Sequence, residues 1–184
     1  NGSELVSGLT EYLPSHISVT GGLSADGSRF GETLVLWGDA TASDTIAAVG
    51  LYGDSLRVGY GSLGGWDMFG PDRLITRSRG NVLYELDGTS ALSLYRRYLG
   101  KYADDLPASG LLFPLSLAIG CDEERVVRTI LAVDEAEASI TFAGDVPEGA
   151  YARLMEANFD RLVDGAIGAA SASMGELGDG PADL

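Results

Sequence analysis

Residues 58–71 read VGYGSLGGWDMFGP, and Gly59, Gly61 and Gly64 within them satisfy the G-x-G-x-x-G spacing of a dinucleotide-binding turn. That turn works because a helix follows the glycines at once and its N-terminus holds the pyrophosphate. Here the glycines run into Trp66-Asp67-Met68-Phe69-Gly70-Pro71, a bulky segment broken by glycine and proline. Glu85 lies about 20 residues downstream, the offset of a ribose-binding acid, but it falls on a different expected strand. The nucleotide reading fails, and a doubly wound sheet fails with it. What is left is a strand-end turn whose Trp66 and Phe69 plug the core, or a loop that walls a small-molecule pocket.

Working outward, Ile17–Gly22, Phe30–Gly38, Ile46–Tyr52 and Leu56–Tyr60 are rich in Val, Leu, Ile and aromatics, as strands are. No crossover helix separates them, so the pattern predicts a β-meander. Leu74–Arg79 and Val82–Leu86 read as two further strands around Arg79-Gly80-Asn81. A short helix is expected over Ser3–Leu13. Another runs through Ala91, Leu92, Tyr95, Tyr98 and Leu99, with Thr89 as N-cap and Gly100 closing it. Ser109–Ile119 contains Pro114 and reads as an edge strand. Arg125–Val133 and Ala138–Ala143 should pair across the acidic turn 134–137. Asp145 and Glu148 resemble a capping box before a long helix to about Ser173, with Tyr151, Leu154, Met155, Phe159, Leu162, Val163, Ala166 and Ile167 as its core-facing stripe. The expected fold is α/β in the α+β sense. It has mostly antiparallel or mixed sheets, a few helices and two lobes, and is not a doubly wound Rossmann fold.

The 184 residues carry 12 Lys and Arg against 27 Asp and Glu, a formal charge of -15. So acidic a surface repels phosphate backbones and anionic headgroups, which argues against nucleic acid and membrane as partners. No apolar run is long enough for a membrane-spanning helix. Cys121 is the single cysteine, which excludes an internal disulfide and favours the cytoplasm. Acid residues 122–124 follow it and oppose thiolate formation. With one histidine, His16, and one cysteine, no zinc site of ordinary spacing can be assembled.

No complete catalytic constellation emerges. Ser24 in GGLSADG (21–27) lacks the second glycine of a nucleophile elbow, because Asp26 stands there. A hydrolase or transferase would need Glu85 or Asp67 as general base, with burial to raise its pKa. Against that stands a set of polar residues near glycine loops: Arg29, Asp67, Arg77, Glu85 and Asp87. With Gly64, Gly65 and Trp66 they form a candidate binding set, arginine for a carboxylate and acids for an amine.

The run ITRSRGNVLYELDGTSALSLYRRYL (75–99) resembles the junction between the N- and C-terminal parts of the FIST domain. Thr76, Arg77, Gly80, Asn81, Val82, Tyr84, Glu85, Leu86, Asp87, Gly88, Ala91, Leu92 and Tyr95 stand in register with that family's pattern. Ser90 departs from it, where the family prefers proline. GGLSADG, the set Gly64, Trp66, Gly70 and Pro71, and FAGDVPEGAYARLMEAN (142–158) are similar to three further family motifs. The resemblance implies that residues 1–88 are the end of a FIST N-terminal region, 89–174 a partial C-terminal region and 175–184 a flexible tail, the middle of a longer protein. It implies a cytoplasmic, prokaryotic, non-enzymatic sensor that binds a small molecule such as an amino acid. The output module would be a kinase, a cyclic-dinucleotide enzyme or a chemotaxis-type transducer. No cofactor is required by it. Haem-based nitric oxide sensing, with His16 as axial ligand, is the alternative the family suggests.

Overall fold

The computed structural model describes residues 1–119 and 125–178. Among them are three α-helices, α1 (Gly2–Tyr12), α2 (Ala91–Leu99) and α3 (Phe159–Leu177). The strands are β1 (Val35–Trp37), β2 (Ala40–Ala42), β3 (Trp66–Arg79), β4 (Val82–Leu86), β5 (Thr89–Ser90), β6 (Leu115–Ala118), β7 (Arg125–Arg128), β8 (Ile130–Asp134), β9 (Ser139–Phe142) and β10 (Tyr151–Ala157). The fold is α+β and antiparallel, as expected, with β1 and β2 forming a separate hairpin. No helix among the described residues is long and apolar enough to cross a membrane.

The main sheet runs β7-β6-β10-β3-β4-β9-β8, with β5 beside β4. Its two end strands are consecutive in sequence, separated by Thr129 alone. One chain segment, 125–134, therefore pairs with β6 through its first half and with β9 through its second. β3 does the same on the far side, pairing with β10 up to Leu74 and with β4 from Ile75. Two shared strands curl the sheet until its ends meet. The interior is filled by Leu83, Leu86, Leu115, Leu117, Ile130, Ile140 and Phe142, all fully buried. Each such side chain contributes about 1.5–3 kcal/mol on leaving water. Helix α2 adds Ala91, Leu92, Tyr95 and Leu99 to this core. Burial pushes the Tyr95 hydroxyl well above its ordinary value.

Several expectations hold in this frame. α1 and α2 form, and Gly100 closes α2 at φ 55°, its N–H donating to the Arg96 carbonyl. The N-cap is Ser90 rather than Thr89, its hydroxyl accepting from the Ser93 N–H. Asp134 closes the acidic turn by accepting from the Ala136 and Glu137 N–H groups. Other expectations are corrected. Residues 151–157 are a strand, not the start of a helix: pairing with β3 on one side and β6 on the other overrides their helical propensity. The helix begins at Phe159, capped by Asn158, whose side chain accepts from the Asp160 and Arg161 N–H groups. The supposed capping box is spent elsewhere, since Glu148 accepts from Ser78 N–H and Asp145 from the Asn1 side chain. Nor does the α3 part of the apolar stripe face the core, for Phe159, Val163 and Ile167 are exposed. β6 is an interior strand that starts just after Pro114, so the proline leaves its ladder intact. The meander shrinks to β1 and β2. Residues 17–22, 46–52 and 56–60 have no ladder partner, and Ile46, Val49 and Tyr52 remain exposed. Cys121, the acid run 122–124 and most of the 175–184 tail lie outside the described residues.

The opening stretch splits in two. From Trp66 it is β3, and Gly70-Pro71-Asp72 bulges out of the ladder, where Arg153 alone opposes the residues between Phe69 and Arg73. Before Trp66 it is extended backbone laid along α3. A Cβ on Gly59 would fall 2.1 Å from the Ser173 carbonyl oxygen, one on Gly61 2.1 Å from that of Ala169, and one on Gly65 2.2 Å from Leu162 N. Alternate residues of an extended chain and successive turns of a helix advance by similar distances, so the glycines step down the helix in phase. They serve close packing, not phosphate binding.

Candidate ligand-binding site

A cavity of about 920 Å³ lies between the first half of the chain and the seam of the curled sheet. One wall runs from Leu23 in the GGLSADG loop to Val35, with Ser43–Ile46 beside it. The other wall is Leu111, Thr129, Leu131 and Ala143, where segment 125–134 passes from one half of the sheet to the other. Ile130 points inward and is fully buried, which leaves its neighbours Thr129 and Leu131 to face the cavity.

The loop is held in shape by Asp26. Its carboxylate accepts from Gly31 N–H (2.8 Å), Phe30 N–H (3.1 Å) and Glu32 N–H (3.2 Å). The Gly31 bond does most to hold the Asp26 carboxyl below its usual range. Phe30 adopts φ 49° inside this turn. Helix α1 is pinned nearby, with Gly2 N–H on the Ala143 carbonyl (2.9 Å) and Asp145 N–H on the Ser3 hydroxyl (3.0 Å). The lining therefore combines apolar side chains (Leu23, Phe30, Val35, Ile46, Leu111 and Leu131) with five hydroxyls (Ser24, Thr33, Ser43, Thr45 and Thr129). It also includes the acids Asp26, Glu32 and Asp44 and, among the described residues, no Arg, Lys or His.

The residues singled out from sequence lie elsewhere and do not converge. Arg29 sits on the loop but turns back, Nε donating to the Asp26 carbonyl (3.0 Å). Gly64 and Gly65 pack against the Trp66 ring and the Leu162 backbone. Trp66, half-buried, begins β3. Asp67 is clamped by Arg161 Nε (2.7 Å) and Asn158 Nδ2 (2.8 Å). It lines a smaller cavity of about 380 Å³ with Glu156, Asn158 and Asp160. Arg77 and Glu85 form an ion pair across β3 and β4 (3.3 Å), and Arg77 also lies over the Tyr84 ring. Asp87 accepts from Arg73 Nη1 and Leu74 N–H (both 2.9 Å), and Arg73 Nη2 donates to the Tyr98 hydroxyl (2.7 Å). Sequence reasoning missed Glu32, Asp44, Thr45 and Thr129. The one available signal was GGLSADG itself, which marked a turn without saying what the turn faces.

Glu85 and Asp67, the candidate general bases, are both neutralised by arginine and neither is buried in apolar surroundings. His16 is exposed on the turn after α1 and lines neither cavity, so its surroundings do not fit haem. Among the described residues no group of three or more His, Cys, Asp or Glu is placed to hold a metal ion.

Neither a curated protein nor a solved structure matches the chain. The FIST N domain matches residues 1–89 and the FIST C domain residues 91–180. The chain belongs to the FIST family, whose domains are small-ligand sensors of signal transduction.

Proposed function

We propose that this chain is a non-enzymatic, cytoplasmic sensory domain that binds a small amine-bearing metabolite, an amino acid being the simplest, in the 920 Å³ cavity. The cavity carries the reading: its volume falls within the range of small-molecule sites, about 300–1,000 Å³, and it joins apolar walls to a few polar groups. The ligand sits between residues contributed by 1–88 and residues contributed by 89–174, so occupancy fastens the two parts together. The signal then passes to an output module, a kinase, cyclic-dinucleotide enzyme or chemotaxis-type transducer. In this reading the ion pairs of Arg77, Glu85 and Asp87 brace the sheet, and Gly64, Gly65, Trp66 and Asp67 seat α3.

A thermal-shift screen of amino acids, amines and haem tests it, because a ligand bound only by the folded state raises the melting temperature by mass action. A positive shift that disappears in Thr129→Trp, which fills the cavity, is the expected result. If the whole panel leaves the full-length protein unmoved, the reading fails.

A further inference from the structure

Helix α3 is covered on one side and bare on another. The segment 58–65 lies against the side that carries Leu162, Gly165, Ala169 and Ser173. It is fastened there by the Ser173 hydroxyl donating to the Gly59 carbonyl (3.1 Å) and by Tyr60 N–H donating to the Glu176 carboxylate (3.0 Å). About a third of a turn away run Phe159, Val163, Ala166, Ile167, Ala170 and Met174, which at about 100° per residue share an arc of about 100°. All six are exposed, Phe159 by 74% and Ile167 by 61%. The chain as a whole leaves 12225 Å² accessible, where a folded monomer of its 19.2 kDa is expected to leave about 8,400 Å². The excess, about 3,800 Å², is well above the roughly 800 Å² that each partner gives to a standard interface. We propose that the bare stripe of α3 pairs with the same stripe of a second copy of this chain, the two helices antiparallel about a two-fold axis.

The stripe is complementary to itself. With the axis between Ala166 and Ile167, Phe159 lies level with Met174 of the second copy, Val163 with Ala170 and Ala166 with Ile167. Large side chains then meet small ones along the middle, and the bulky ends match, as a two-fold contact requires. The charge pattern selects the direction. Residues 165–175 carry no charge, while Asp160 and Asp164 stand in the first turns and Glu176 at the end. Parallel helices would set each of these acids beside its own copy. Antiparallel ones set Asp160 level with Ser173, Asp164 with Ala169 and Glu176 with Ala157, and they also oppose the helix dipoles. In a chain of net charge -15, an uncharged surface is where two copies can touch without stacking like charges. Val58, Tyr60 and Leu63, exposed beside the helix, extend the contact on its flank.

Sedimentation velocity of the full chain, from micromolar to submillimolar concentration, should show a species of twice 19.2 kDa. Ile167→Glu puts two carboxylates beside the axis and should raise the dissociation constant by about tenfold or more. Its melting temperature, read at a concentration where the wild type is monomeric, should be unchanged because Ile167 is already exposed. Cysteine pairs read the register in a Cys121→Ser background. Phe159→Cys mixed with Met174→Cys should give a mixed disulfide under mild oxidation, and Ser171→Cys, off the stripe, should give none. A chain that stays monomeric throughout overturns the proposal. So does a dimer that persists undiminished in Ile167→Glu, since the copies then meet elsewhere. Phe159→Cys that cross-links to itself as readily as to Met174→Cys overturns the antiparallel pairing.

Discussion

Replacing Gly65 with alanine should loosen α3 from the rest of the molecule without dissolving the core. A Cβ at Gly65 would lie 2.2 Å from Leu162 N, 2.4 Å from Leu162 Cα and 2.6 Å from Arg161 C. All three neighbours are backbone, so no rotamer change can relieve them. Either the 58–65 segment lifts or the helix swings outward, and in both cases the bond from Asn158 N–H to the Gly65 carbonyl (2.9 Å) is stretched. Overpacking of this kind costs about 1–3 kcal/mol. The opening equilibrium of α3 should rise about 5- to 140-fold accordingly. Hydrogen exchange reads this directly: amides within 160–177 should exchange faster, while those of β4, β6 and β9 keep their wild-type protection. Gly175→Ala is the control, because that glycine lies in the same helix with nothing within 4 Å of its missing Cβ. It should stabilise the helix by about 0.5–1 kcal/mol, the propensity difference alone. Wild-type exchange over 160–177 in Gly65→Ala would refute the packing argument, since the two backbones then cannot lie this close.

Two further outcomes concern the contacts that brace β3 and α3. Asn158→Ala removes both the N-cap of α3 and the bond to Asp67, and should cost about 1–2 kcal/mol, seen as faster exchange in the first turns of α3. Asp72 joins Arg125 (2.9 Å) to Arg153 across the bulge of β3; burial acts to raise its carboxyl, but the hydrogen bonds and charges of the two arginines outweigh it and hold it below the ordinary value. A depressed carboxylate stabilises the fold above its unfolded pKa, about 3.9, and that stability is lost as pH falls through the lower folded value. Asp72→Asn should therefore melt below wild type at neutral pH, and the gap between the two should close below about pH 4. A gap that persists unchanged into acid would show that Asp72 acts by shape and not by charge.

The antiparallel α+β character was legible because it follows from local patterns that survive folding. Val82–Leu86 is rich in Val, Leu and Tyr as strands are, Gly100 takes a positive φ where α2 ends, and the glycines before Trp66 lack a following helix. Where the reading failed, a local signal was outvoted by a partner distant in sequence. Tyr151–Ala157 contains Ala, Arg, Leu, Met and Glu, good helix formers, yet it is the central strand between β3 and β6. Gly70-Pro71 looked like a strand breaker and is instead a bulge inside a 14-residue strand, a distinction set by what lies opposite.

The candidate site failed to show for a related reason. Its charged lining residues were visible as scattered acids, and acids near glycine turns are ordinarily solvated. Thr129, which lines the same cavity as Glu32 and Asp44, lies nearly a hundred positions from Glu32, at the single residue where segment 125–134 changes sheet partners. No spacing rule connects those positions, because the connection is made by curling the sheet until its ends meet. The arginines made the opposite error inviting. Arg29 and Arg77 stand near glycine loops and suggest an anion site, yet each is engaged by an oxygen of its own chain. Once those arginines are assigned to internal partners, the charged residues left along the cavity among those described are Asp26, Glu32 and Asp44, so the arginines no longer argue for an anion site there.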